Sequence, residues 1–217
     1  MMRLYGYWRS SAAWRVRIAL ALKGLAAEQV PVHLTRGGGE QHGDEHRARN
    51  PQALVPALEV DGHMLTQSLA IIEWLDEAHP APALLPADPF RRAEVRAFAL
   101  AIACEMHPLQ NLRVQQYLRR EIGRDQAAID AWLAHWLGQG LEACEALLAR
   151  EPSGQAFAFG ETPGLADVML APQLYSADRF AVPYAHLPRM AALGAAYAAH
   201  PAFVDSHPSR QSDAEQP

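Results

Sequence analysis

Apolar positions along the 217-residue chain keep two different rhythms, and the change falls near residue 80. Before it, short alternating runs come between segments of helical period. Residues 4–7 read as a first strand. Residues 11–23 follow as a helix, with Trp14, Ile18, Ala21, Leu22 and Leu25 at helical spacing and Gly24 as the C-terminal stop. Residues 29–34 read as a second strand, and a polar Gly-rich loop through Gly37, His42 and His46 comes next. Residues 57–60 and 64–66 flank Asp61-Gly62, a strong hairpin signal. Ser68 then opens a helix that ends by His79-Pro80. The order predicts a small α/β domain.

Pro80, Pro82, Pro86 and Pro89 fall within ten residues, a density that blocks both helix and strand continuation and reads as a linker. Beyond it every pattern is helical. Asp88-Pro89 supplies a cap and a first-turn proline for a helix over residues 90–106, and His107-Pro108 interrupts it. Residues 126–150 place Ile129, Trp132, Leu133, Trp136, Leu137, Leu141, Leu147 and Leu148 on one face. Helices over residues 164–180 and 187–200 complete the set, and the polar tail from Ser206 is expected to fray. The predicted organisation is an α/β domain over 1–80, a linker over 81–88 and an all-helical domain over 89–217.

Composition narrows the function classes. Half the residues are apolar and a fifth charged, enough for sizeable cores. A net charge of −5 argues against a partner that must be bound by neutralising phosphates, so no nucleic acid is expected. No apolar run is long enough to cross a membrane, and the first residues lack a secretory core, so a cytoplasmic protein is expected. Cys104 and Cys144 both lie in helix-periodic stretches and read as buried free thiols. The ten histidines form no recognisable ligand set, and no metal is expected. Of the 19 basic side chains only Lys23 is a lysine, and arginine suits bidentate carboxylate recognition.

Three local features carry candidate chemistry. Ser10 and Ser11 stand where the first strand meets the first helix. Two hydroxyls beside unpaired backbone N–H groups can hold an oxyanion or a thiolate, or can simply cap the helix. Gln67-Ser68 offers the same pair of readings at a second helix start. Val55-Pro56, just before a strand, could present backbone groups to a peptide-like ligand through a cis turn, although the general preference for trans makes trans the expectation from the residues alone.

Taken together, the stretch Ser10-Ser11-Ala12-Ala13-Trp14-Arg15-Val16-Arg17, the pairs Asn50-Pro51 and Val55-Pro56, and the run Gln67-Ser68-Leu69-Ala70-Ile71-Ile72-Glu73 resemble the zeta-class glutathione transferases, which include maleylacetoacetate and maleylpyruvate isomerases. The stretch from His107 to Arg113, the run Phe159-Gly160-Glu161-Thr162-Pro163-Gly164-Leu165-Ala166-Asp167, and the pairs Pro172-Gln173 and Arg179-Phe180 extend the resemblance to nearly the whole chain. It implies a thioredoxin-like N-terminal domain, an all-α C-terminal domain, a homodimer, and glutathione bound between the domains. It also implies that Ser11, with Ser10, holds the glutathione sulfur, that Val55 before a cis Pro56 meets the cysteinyl unit, and that Gln67 and Ser68 take the γ-glutamyl carboxylate. Gln41 and His107 match positions near the glycyl end and the groove, and Asn111 lines the cleft.

The family often has Cys at Ala12 and Ser at Ala13, and Thr at Gly164. Chemistry that needs an enzyme thiol is therefore not supported here, whereas chemistry by the thiol of glutathione is. Gly164 is a weaker cap than Thr, and Asp167 three residues on can bond back to its N–H. The implied reaction is cis–trans isomerisation of a maleyl diketo-dicarboxylate, maleylacetoacetate to fumarylacetoacetate, in aromatic-compound and tyrosine breakdown, with maleylpyruvate isomerisation, glutathione conjugation or α-haloacid dehalogenation as alternatives. Arg113 and Arg179, with Arg9 as a third cation, are the expected anchors for the substrate carboxylates, while Arg15 and Arg17 are expected to make structural pairs.

Overall fold

The computed structural model describes residues 1–215. Contacts divide the chain into two compact units, Met1–Leu84 together with the stretch from Ala199 onward, and Leu85–Ala198. The C-terminal stretch thus belongs with the first unit, although in sequence it follows the helical one.

The first unit is a four-stranded sheet with helices. The strands are β1 (Met2–Gly6), β2 (Glu28–Pro31), β3 (Ala57–Val60) and β4 (His63–Thr66), in the order β2-β1-β3-β4. β1 pairs parallel to β2 and antiparallel to β3, and β3 pairs antiparallel to β4. The parallel pair needs a crossover, which helix α1 (Ser11–Leu22) supplies. Asp61 and Gly62 both take positive φ, the conformation a two-residue hairpin requires, so this turn forms as expected. Helices α2 (Asp44–Arg49) and α3 (Ser68–Ala78) complete the domain. The six-residue α2 lies in the stretch expected to be loop. Its only positional cue is Asp44 and Glu45 in its first turn, and it is too short to show a period.

Helix α1 is buried on every side: Ala13 through Leu20 are all inside, Arg15 and Arg17 among them. Gly24, at φ +64°, ends it, and Leu25 N–H returns to the Leu20 carbonyl at 2.9 Å. Lys23 sits at this end with no side-chain exposure. Its Nζ donates to Asp76 Oδ1 (2.8 Å), to the His79 carbonyl (2.7 Å) and to the Pro82 carbonyl (2.8 Å). Asp76 Oδ1 also accepts the Leu84 N–H at 2.7 Å. An ammonium with three rotatable donors suits three acceptors around a point, whereas a planar guanidinium does not.

The tail differs from expectation. Helix α9 (Pro201–Asp205) packs with α1, and a 3-10 turn follows at Pro208–Arg210. Trp14 Nε1 donates to Ser206 Oγ at 2.9 Å. Polar side chains here are partners for buried groups rather than solvent-facing ornaments, so composition alone misread the segment.

The second unit holds α4 (Pro89–Leu100), α5 (Leu112–Arg120), α6 (Gln126–Leu148), α7 (Leu165–Arg179) and most of α8 (Pro188–Ala199). Asp88 Oδ1 caps α4 by accepting Arg91 N–H, with Pro89 in the first turn as expected. The helix changes form earlier than Pro108 suggested: a widened π turn runs over Ala101–Met106 and a 3-10 turn over His107–Gln110. That places Cys104 in the exposed part of the turn, so only Cys144 is a buried thiol. Burial raises the Cys144 thiol to about 12, which leaves it inert near neutrality. Helix α6 buries the stripe Ile129, Leu133, Leu137, Leu141, Cys144 and Leu148. Asp167 accepts from Gly164 N (2.9 Å), Ala158 N (2.9 Å) and Tyr197 Oη (2.8 Å). The bond back to the Gly164 N–H is thus made. No helix among the described residues is long and apolar enough to cross a membrane.

The Lys23 clamp makes a stability prediction. Lys23→Met leaves the Asp76 carboxylate buried without its cation and should destabilise the protein by about 3 kcal/mol or more. Lys23→Arg should recover only a minor part of that loss. Unfolding midpoints in urea check both, and a Lys23→Met protein as stable as the parent would refute the assignment.

Candidate functional site

The first unit places two helix N-termini and one extended turn at the disposal of a ligand. At α1 the chain leaves β1, turns through Tyr7, Trp8 and Arg9, and closes with Ser10 N–H on the Tyr7 carbonyl at 2.9 Å. Ser10 is the N-cap, and its Oγ accepts the Ala13 N–H at 3.2 Å. Ser11 is the first helical residue, and both serines are partly exposed. The capping reading therefore holds for Ser10, which leaves Ser11 as the hydroxyl whose place at the helix start is not set by the cap. A thiol or anion here would meet N–H groups at the positive end of the helix dipole, which favours its charged form. Arg9 lies over the Trp8 ring, 5.0 Å from its centroid.

The turn before β3 has a cis bond between Val55 and Pro56, against the expectation from the residues alone and as the resemblance implies. Two side chains fix the carbonyl just before it. His46 Nε2 and Asn50 Nδ2 both lie 2.9 Å from the Leu54 oxygen, so the imidazole carries its proton on Nε2. Asn50 Oδ1 in turn accepts the Gln52 N–H. Val55, partly exposed, is left with backbone groups that a peptide-like ligand can read. His46 was missed as a contributor. At the sequence level it looked like half of an unlikely metal pair, and nothing local shows that its partner is a carbonyl eight residues on.

Ser68 is buried at the start of α3, and Gln67 before it is exposed. Arg15 Nη1 donates to Ser68 Oγ at 3.4 Å, so the hydroxyl oxygen is already an acceptor and its own proton is available to a carboxylate. Gln67 sits at φ +69° and ψ 114°, a conformation that favours glycine, and its Nε2 donates to Gln52 Oε1 at 2.7 Å. Backbone strain of this kind persists only where the surrounding structure holds it, and it is found often at ligand-binding positions.

Gln41 is buried. Its Nε2 donates to the Leu34 carbonyl at 3.3 Å, and its Oε1 has no protein donor. Gly39, at φ +107°, makes room for it, since a Cβ there would fall within 2.8 Å of the Gln41 amide and the Leu34 oxygen. Ser11, Val55, Ser68 and Gln41 thus all belong to the first unit, on a helix start, an extended turn, a second helix start and a 3-10 turn.

In the second unit, His107 opens the 3-10 turn and Asn111 caps α5, its Oδ1 accepting Arg113 N–H at 3.1 Å. Gln110 and Gln173 exchange two amide hydrogen bonds of 3.0 Å in the interior, which docks this segment on α7. Arg113 is exposed in the first turn of α5. Arg179 is exposed at the end of α7, 4.2 Å from the Phe180 ring centroid. Six residues separate Arg179 from Gln173, about 9 Å along a helix, so one amide pair orients the elements that carry both arginines.

Comparisons with known proteins bear on both units of the fold. The chain matches the family models "Glutathione S-transferase, N-terminal domain" over residues 4–83 and "Glutathione S-transferase, C-terminal domain" over residues 126–203. It is 50% identical to the maleylacetoacetate isomerase of Pseudomonas aeruginosa over 213 residues, 98% of each chain. It is similar to the holo structure of a maleylpyruvate isomerase described as a bacterial glutathione-S-transferase in zeta class (46% identity, TM-score 0.94, 98% of this chain and 100% of that one). It is also similar to a maleylacetoacetate isomerase from Anaeromyxobacter dehalogenans with bound dicarboxyethyl glutathione and citrate (43% identity, TM-score 0.87, 100% and 98%).

The strain at Gln67 can be measured. Gln67→Gly should raise stability by about 0.5–1 kcal/mol by relieving the positive φ, even though it removes a side chain from the site. Thermal unfolding checks this, and a lower Tm would show that the Gln52 contact outweighs the backbone cost.

Proposed function

The chain belongs to the glutathione S-transferase family, in its zeta class, and on that premise we propose that it is a glutathione-dependent cis–trans isomerase of a maleyl diketo-dicarboxylate, maleylacetoacetate or maleylpyruvate. The observation that carries this reading is the pair of helix starts at Ser11 and Ser68, set in a chain half of whose residues match an isomerase over nearly its full length.

Glutathione, when bound, supplies the thiolate that adds to the cis double bond, lets it rotate as a single bond and leaves to give the trans isomer. The residues of this chain have to hold and charge that thiol. The Ser11 hydroxyl and the N–H groups of the first α1 turn stabilise the negative sulfur by hydrogen bonding and by the helix dipole. Ser10, as cap, keeps that turn in register. The Val55 backbone reads the central peptide unit, and Gln67 and Ser68 take the γ-glutamyl carboxylate, with Arg15 behind Ser68 adding a buried positive charge. Gln41, His107 and Asn111 serve the remaining polar groups of the tripeptide.

The second substrate brings two carboxylates and develops an enolate. Arg113 and Arg179 are the proposed anchors, with Arg9 beside the serines as a third cation. The proposed nucleophile is the thiol of glutathione, since Ala12 stands in the first turn of α1 where the family often has a cysteine. A homodimer in the cytoplasm, where glutathione is the abundant thiol, completes the reading, and it acts within the breakdown of an aromatic compound.

The test mixes pure protein, glutathione and either cis diacid and follows the trans product. Isomerisation leaves the glutathione concentration unchanged, whereas conjugation would consume it. No glutathione-dependent turnover of either diacid would sink the isomerase reading. Arg179→Ala should raise KM for the diacid about tenfold, the loss of one charge-assisted contact. Its KM for glutathione should stay within twofold, and a matched loss of glutathione affinity would show that Arg179 serves the tripeptide instead.

A further inference from the structure

The C-terminal stretch closes on the same turn that carries the two serines. Trp8 N–H donates to Asp213 Oδ2 at 3.0 Å, and the Trp8 carbonyl accepts from Arg17 Nη2 at 2.8 Å. Arg17 Nε donates to the Ser206 carbonyl at 3.2 Å, so one guanidinium ties the turn and the tail together. Further along, Glu215 Oε1 lies 2.8 Å from His33 Nε2 and 3.7 Å from Arg36 Nη2. Gln211 Nε2 closes the stretch on itself through the Ser206 and His207 carbonyls.

Trp8 and Arg9 carry the chain from the end of β1 to the cap of α1, and no sheet or helix pairing holds the backbone of Trp8, whose N–H and C=O lie in two successive peptide groups. Its two polar ends are held instead by one residue of the tail and one of the helix. We propose that Asp213, acting with Arg17 on the Trp8 backbone, is a positioning residue for the thiol site at Ser10 and Ser11, so that the C-terminal stretch is a working part of the active site. The proposal rests on the reading of that turn as the place where the glutathione sulfur is held.

The charges are arranged for the purpose. A carboxylate near a thiolate would by itself disfavour the thiolate, yet Asp213 faces Arg17, which is buried and remains a cation. Burial lowers the Arg17 guanidinium to about 10, and the Asp213 carboxylate opposes that fall. The pair therefore delivers rigidity to the turn while adding little net field. His207, beside Arg17 and Arg210 and partly buried, is held below its ordinary value by burial first and by the two cations second, so it brings no further positive charge at neutral pH.

Three proteins test the proposal: the parent, Asp213→Ala and Asp213→Asn. The asparagine oxygen can still accept the Trp8 N–H, so it should restore what the alanine loses. In Asp213→Ala, amide hydrogen exchange across residues 8–11 should quicken about tenfold, the thiolate absorbance of bound glutathione should appear at higher pH, and kcat/KM for glutathione should fall about tenfold. Asp213→Asn should stay within twofold of the parent in exchange and titrate no higher. An unchanged exchange rate and thiol titration in Asp213→Ala, with or without a lower Tm, would overturn the proposal. Should Asp213→Ala fold poorly, a chain ending at Ser212 gives the same contrast against Asp213→Asn. If the parent binds no glutathione, the function reading fails, and the exchange measurement still decides whether Asp213 holds the turn.

Discussion

The first unit depends on one constraint: helix α1 is buried on all sides and yet carries three cations, at Arg15, at Arg17 and at Lys23 just past its end. A buried charge is tolerable only with close partners. Each cation therefore draws a different piece of chain to the helix. Arg15 reaches Ser68 at the start of α3, Arg17 reaches Trp8 in the β1–α1 turn and Ser206 in the tail, and Lys23 reaches Asp76, His79 and Pro82 at the end of α3 and in the linker. The sheet gives this domain its plane, and the three cations give it the fixed positions of its loops.

Those loops carry the proposed site. An anion-binding helix start has to leave backbone N–H groups unpaired, so it cannot be braced by the hydrogen bonds that stiffen ordinary structure. The bracing has to come from behind, through side chains that touch the turn but not the ligand. Ser10 as cap, Arg17 on the Trp8 carbonyl, Arg15 on Ser68, and His46 with Asn50 on the Leu54 carbonyl all have this relation to a ligand-facing group. Rigid donors cost no reorganisation when a negative sulfur forms among them, which is where most of the stabilisation in such a site arises.

How much of this could be read from residues follows from the range of each interaction. The hairpin at Asp61-Gly62, the cap at Asp88-Pro89 and the α6 stripe from Ile129 to Leu148 are encoded within a few residues of themselves, and all appear as expected. Lys23 was conspicuous only as the one lysine, because its three acceptors lie more than fifty residues away. The tail looked like a polar end for the same reason, since Asp213 and Ser206 find their partners some two hundred residues back in Trp8 and Trp14. The candidate site was legible because the chain resembles a family; from spacing alone Ser10 could equally have been a cap, and it is one. The position of the π turn and the exposure of Cys104 carried no local signal, since a six-residue turn is too short to show a period of its own.

The division of labour between the units has a chemical consequence. The first unit's buried cations are already engaged by its own loops, and its helix starts at α1 and α3 are the ones proposed to take one thiol and one carboxylate. A second substrate with two carboxylates is met at lower desolvation cost by exposed cations than by buried ones. Arg113 and Arg179 are exposed on elements of the second unit that a buried Gln110–Gln173 pair orients, and Arg9 is partly exposed beside the serines. Exposed arginines can exchange water for carboxylate at small desolvation cost, whereas Arg15 or Arg17 would have to give up partners that hold the turn. Discrimination among cis diacids should therefore lie in the second unit and in Arg9, and the charging of the thiol should lie in the first, so that changes to one can alter substrate choice without disturbing the nucleophile.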